Sequence, residues 1–124
     1  MKKNGVSFMS SLTVYEKPTC TTCRKVAGVL KEKGVDYNSV NYFIDPIPKA
    51  KLELLVKKMK ISAQELFRKR EDIYKELKLS AREVSDDEAI ELMVKHPELL
   101  QRPIVEKGDQ AILARPAERI AEIL

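Results

Sequence analysis

Apolar residues change their spacing several times along the chain, and each change marks an element. Leu12 to Tyr15 alternates over a short run, the period-two signature of a strand. The spacing then lengthens: Cys23, Val26, Ala27 and Leu30 fall at i, i+3, i+4 and i+7, one face of a helix, and Gly34 stands where a helix C′ glycine belongs. Val35 to Tyr42 mixes valine, tyrosine and small polar residues and predicts a second strand, after which Asp45-Pro46-Ile47-Pro48 breaks the chain. A strand–helix–strand opening implies two parallel strands joined by a right-handed crossover.

The middle of the chain is helical by the same test. Leu52, Leu55, Val56 and Met59 repeat the helical stripe. Ser62-x-x-Glu65 is a capping box with Ile61 and Leu66 placed as a hydrophobic staple, and Ser85-x-x-Glu88 is a second box ahead of Ile90, Met93 and Val94. Ile73, Tyr74, Leu77 and Leu79 make a shorter helical stretch between them, and His96-Pro97 closes the region. Beyond Pro97 the period returns to two. Ile104-Val105 and Ala111 to Leu113 flank Lys107-Gly108-Asp109-Gln110, an antiparallel hairpin. Pro116 suits the first turn of a last helix that sets Ile120, Ile123 and Leu124 on one face. The order β-α-β, several helices, β-β-α predicts an α/β protein of thioredoxin-like order with a helical insertion between its halves. The expected organisation is a loose extension over residues 1–10 and a single domain over 11–124.

Composition narrows the class. The 124 residues suit one domain that buries about two-thirds of its unfolded surface. At 44% hydrophobic and 34% charged, the chain reads as soluble and globular. A net charge of +4 with lysines and glutamates interleaved leans toward small anions and gives no footprint for direct nucleic-acid binding. No apolar run reaches membrane-spanning length, and Met1-Lys2-Lys3-Asn4-Gly5 lacks the apolar core of a signal peptide, so a cytoplasmic protein is expected; nothing in the sequence reads out oligomeric state, and monomer is the default.

Chemistry enters with the only two cysteines, Cys20 and Cys23, in Lys17-Pro18-Thr19-Cys20-Thr21-Thr22-Cys23. The spacing has three readings: a redox pair, half of a zinc site, or two small core residues. Tetrahedral zinc needs two further ligands, and the only histidine, His96, lies far along the chain, so no metal is expected. A thiol at a helix start is favoured as thiolate by the unpaired N–H groups and dipole facing it, which points to redox or nucleophilic use. Cys20 is then the more exposed, attacking thiol; Cys23, on the apolar stripe, is the more buried, resolving one. The second signal is a pair of dipeptides, Arg102-Pro103 and Arg115-Pro116. Proline holds the preceding residue extended, and arginine is the planar donor that suits tetrahedral oxyanions. Composition alone reads these arginines, and Arg68 in Leu66-Phe67-Arg68-Lys69-Arg70, as solvated surface.

Taken together, Tyr15-x-x-Pro18-x-Cys20, Ile61-Ser62 with Phe67-Arg68-Lys69, Arg102-Pro103-Ile104-Val105 and Leu113-x-Arg115-Pro116 resemble the glutaredoxin-linked arsenate reductases, the ArsC family. The likeness runs from Leu12 to Leu124. It implies a thioredoxin-like fold, a catalytic cysteine at Cys20, an oxyanion site of Arg68, Arg102 and Arg115, and a cis peptide bond before Pro103. It also implies arsenate reduction to arsenite with no bound cofactor, using glutathione or a protein dithiol as reductant and glutaredoxin or thioredoxin as partner. Two positions depart from the family pattern. Glu16 replaces a histidine that many members carry four residues before the cysteine, and a carboxylate facing the site would raise a nearby thiol. Cys23 stands where the reductases usually have serine, and the resulting C-x-x-C is similar instead to Spx, a redox-sensing regulator that binds the RNA polymerase alpha subunit. The alternatives are thus a Spx-like regulator or a general thiol reductase.

Overall fold

A computed structural model describes residues 12–124; the expected extension over residues 1–10 lies outside the described residues. The chain forms two compact units, one from the segment ending at Asn41 together with Arg102–Leu124, the other from Tyr42–Gln101.

The first unit holds a four-stranded mixed sheet in the order β2-β1-β3-β4. Strand β1 (Leu12–Glu16) runs parallel to β2 (Asn38–Asn41) and antiparallel to β3 (Ile104–Lys107), which pairs antiparallel with β4 (Gln110–Leu113). Helix α1 (Thr21–Glu32) connects β1 to β2 and buries the predicted stripe of Cys23, Val26 and Leu30. Val26 and Leu30 meet Leu12 and Val14 of β1, Val105 of β3, and Ala114, Ala117, Ile120 and Ile123 of the C-terminal arm in one core cluster. The arrangement is the thioredoxin-like α/β fold, with the helical segment inserted between β2 and β3.

Strand β2 is shorter than the predicted 35–42 because α1 uses its first residues as a cap. Gly34, at φ +67°, is the C′ residue. Its N–H donates to Lys31 O and that of Val35 donates to Leu30 O, the two bonds of a Schellman motif. Val35 is committed to ending the helix, and the ladder begins three residues later. The last helix also differs from expectation. Residues Ala117–Glu122 form a 3-10 helix with Pro116 as its N-cap rather than its first helical residue. Three residues per turn align Ala117, Ile120 and Ile123 inward, so Leu124 falls off the face and is 39% exposed.

The second unit contains α2 (Lys49–Met59), a short α3 (Asp72–Glu76), α4 (Asp86–Lys95) and three brief 3-10 turns. Leu52, Leu55 and Val56 of α2 and Ala89, Ile90 and Met93 of α4 are buried, and Lys49 bridges the two helices through Asp87 (3.1 Å) and Glu91 (3.4 Å). Only the first capping box closes both ways, and Ser62 and Glu65 open just the single 3-10 turn Ala63–Leu66; at the second, the Ser85 hydroxyl accepts from Glu88 N–H and opens α4 while the Glu88 carboxylate pairs with Arg82. Asp86, in the first turn of α4, accepts from Ala63 N–H at 3.1 Å and ties that turn down.

Candidate functional site

Strand β1 ends at Glu16, and the chain turns through Lys17-Pro18-Thr19 into α1 with Cys20 as the N-cap. The turn closes with Cys20 N–H donating to Lys17 O at 2.9 Å. Cys20 has extended backbone (φ −78°, ψ 125°), so its side chain swings over the helix start, and its Sγ accepts from Cys23 N–H at 3.3 Å. A thiolate is the better acceptor for that otherwise unpaired helical N–H. Cys20 is half-buried; Cys23, one turn on, is wholly buried, and both are free thiols.

Their electrostatics diverge. Burial pushes the Cys20 thiol up, but hydrogen bonds from the Cys23 thiol and backbone N–H, together with the charges of Arg102 and Arg115, outweigh it and bring Cys20 below its ordinary value. Cys23 is pushed up to about 12, first by burial, then by donating to Cys20, then by the charges of Cys20 and Glu16; a backbone bond with Lys17 works the other way. One thiol is thus prepared as a nucleophile and the other is held protonated.

The two Arg-Pro dipeptides arrive at Cys20 through the β3–β4 hairpin. The two-residue turn Gly108-Asp109, with Gly108 at φ +57°, sets Ile104 against Leu113. Continued outward, that register sets Pro103 against Ala114 and Arg102 against Arg115. Ala114 N–H donates to Pro103 O at 3.0 Å, and Arg115 Nη1 donates to Arg102 O at 3.1 Å. Both Arg–Pro bonds are cis. Arg102 is only 7% exposed, so its guanidinium acts through low-dielectric surroundings, where a charge is felt more strongly than in water.

Glu16, 8% exposed, accepts from the Ser39 hydroxyl of β2. Its charge bears on Cys23 and on Tyr37, which is raised first by burial and then by Glu16. On the opposite face of β1, Tyr15 donates to the buried Glu106 of β3 at 3.1 Å; burial and then the Glu106 charge raise the Tyr15 hydroxyl above the ordinary tyrosine range. Alternation along β1 carried a signal for Glu16: it occupies the third inward position after Leu12 and Val14, where an unassisted carboxylate is not expected.

Cys20, Cys23, Arg102 and Arg115 are therefore brought together in one unit. Arg68 belongs to the other, where the bridge between Phe67 and Leu100 and the bond from Arg68 N–H to Leu99 O (2.6 Å) fix its backbone. Its Nε donates to Glu71 at 3.3 Å.

Comparison with known proteins places this arrangement. The chain is 39% identical to the uncharacterized protein YfgD of Escherichia coli K12, over 90% of this chain and 94% of that protein. It is 35% identical to an arsenate reductase of the same organism, over 94% of this chain and 82% of the relative. Among solved structures, an arsenate reductase from Vibrio cholerae superimposes with a TM-score of 0.87 at 31% identity, covering 92% of this chain and 98% of that one. A second, described as a putative arsenate reductase from Yersinia pestis, gives 0.82 at 31% identity, over 90% and 98% of the two chains. Residues 15–123 match the ArsC family itself, and the chain belongs to that family.

Proposed function

We propose that the protein is a thiol-dependent oxidoreductase that reduces arsenate to arsenite. The observation that carries this reading is a lowered Cys20 thiol on a helix start with Arg102 and Arg115 acting on it. Relatives named arsenate reductase at about 35% identity support it. The oxyanion sits against the two guanidinium groups, whose donors and charges match a tetrahedral anion and offset the charge that builds up as the thiolate attacks. A third guanidinium, from Arg68, is expected from the family likeness alone.

Cys20 thiolate displaces a hydroxyl group of arsenate, which takes one proton from solvent and leaves as water, and a sulfur–arsenic bond forms. A second thiol then attacks Cys20 Sγ. A disulfide forms, the sulfur–arsenic bond breaks, and its electron pair passes to arsenic, which goes from the pentavalent to the trivalent state. Cys23, hydrogen-bonded to Cys20 already, supplies that thiol in this reading, and glutathione is the alternative. Glutaredoxin or thioredoxin then reduces the product disulfide.

The test is arsenate reduction by the intact protein with glutathione plus glutaredoxin and, separately, with thioredoxin. Cys20→Ser abolishes turnover, and Arg102→Ala lowers kcat/KM by about 100-fold or more, as expected for loss of a charge contact worth about 3 kcal/mol in the transition state. Wild-type protein inactive with both reductants would overturn the enzyme reading in favour of a redox regulator, which the dithiol alone also satisfies.

A further inference from the structure

Two lines of inward residues face each other across the first β-α unit. On β1 they are Leu12, Val14 and Glu16, spaced by two; on α1, running back over the strand, they are Leu30, Val26 and Cys23, spaced by four and three. Leu12, Val14, Val26 and Leu30 share one core cluster. The same antiparallel run of helix over strand, carried one step further, makes Glu16 and Cys23 the next pair in line, and the Glu16 charge acts on the Cys23 thiol. Both are buried, Cys23 at 0% exposure and Glu16 at 8%. A carboxylate at the end of an otherwise apolar line needs a reason, and the thiol across from it supplies one.

We propose that Glu16 is the proton acceptor for Cys23, taking the thiol proton as the Cys23 sulfur closes onto Cys20. The inference rests on the reading that Cys23 resolves the Cys20 adduct. A wholly buried thiol has no water to receive its proton. Burial and the Glu16 charge both disfavour a free Cys23 thiolate, and both persist once Cys20 carries its adduct, so the proton needs an acceptor beside the thiol. The Ser39 hydroxyl, donating to Glu16 from β2, holds the carboxylate in place. Other titratable or charged groups around the pair are Cys20 at the helix start, Tyr37 ahead of β2, and Arg102 and Arg115 acting on Cys20. In the step itself the Cys23 S–H bond breaks and its proton passes to Glu16. The Cys20–Cys23 bond forms, and the bond from Cys20 to its adduct breaks with the electron pair leaving on the adduct.

An aromatic disulfide, dithiobis(nitrobenzoate), tests this without arsenate. Cys20 attacks it, releases one nitrothiobenzoate and keeps the other half as a mixed disulfide. Cys23 then displaces the second. Two protein thiols are oxidised and one reagent disulfide is reduced to two thiolates, so both phases are read by absorbance. In the intact protein the second phase is expected to vary little between about pH 6 and 9, because the acceptor is internal. In Glu16→Gln, which keeps an oxygen for Ser39, the first phase still releases one nitrothiobenzoate per chain. Its second phase near neutral pH slows by about tenfold or more and rises by about tenfold per pH unit, as direct ionisation requires.

Two results overturn the proposal and are told apart from each other. If the wild type releases a single nitrothiobenzoate, Cys23 does not resolve and the dithiol reading falls with it. If two are released and Glu16→Gln is as fast or faster at every pH, Glu16 only repels charge on Cys23, and the dithiol reading stands without it. The wild type alone also decides, should the variant not fold: a second phase rising tenfold per unit across that range shows unaided ionisation and contradicts an internal acceptor.

Discussion

Cys20 and Cys23 differ by three positions and by opposite displacements of their thiols, and the cause is local. Cys20 sits at the open end of the helix with two guanidinium groups acting on it; Cys23 sits one turn in, under the sheet, beside Glu16. Removing one guanidinium has a definite sign. Arg115→Ala raises Cys20, so the alkylation midpoint measured against pH moves up and reactivity near neutral pH falls. An unchanged or lower midpoint would contradict the assigned cause. Tyr15 gives a second residue-scale test. Its hydroxyl is held protonated in the fold by burial and by Glu106, so this group's contribution to stability is complete below about pH 10 and is lost as pH rises beyond it. Tyr15→Phe costs about 1–2 kcal/mol at neutral pH in urea unfolding and shows a smaller further loss at alkaline pH. The cysteines' unequal burial was legible in the sequence because Cys23 falls on the stripe of Val26 and Leu30. The Glu16 charge was legible only as a departure, since its target depends on which thiol the strand end faces.

Elements were legible where one local rule decided them and misread where two competed. Helix α1 follows from its stripe, but Val35 satisfies both a strand pattern and a helix cap, and the cap prevails because its N–H completes the Schellman pair. Ser62-x-x-Glu65 and Ser85-x-x-Glu88 look alike in sequence. The first opens a single 3-10 turn and the second a ten-residue helix, because only the second is followed by a sustained apolar face. Ser85→Ala therefore costs about 1 kcal/mol by urea unfolding, and Ser62→Ala costs less; equal losses would count against this distinction. The C-terminal apolar spacing suits a helical period of 3.6, but the 3-10 helix repeats every three residues, which turns Leu124 outward. The meeting of Arg102 with Arg115 was available from the hairpin, since a turn centred on Gly108-Asp109 fixes every pair beyond it.

At the scale of the whole molecule, the sheet order and the inserted helices follow from the order of elements, and membership of the ArsC family from motifs spread over nearly the full chain. In the proposed reaction, a second thiol hydrogen-bonded to the nucleophile would let one polypeptide supply both electrons for a two-electron reduction. The most direct measurement is a single turnover: fully reduced protein, freed of small thiols, is mixed with arsenate, and arsenite and the Cys20–Cys23 disulfide are quantified together. The account predicts arsenite and disulfide formed in equal amounts, up to one of each per chain, with neither in Cys20→Ser. Arsenite that appears only when glutathione is added, with Cys23 still reduced, would contradict the internal dithiol route.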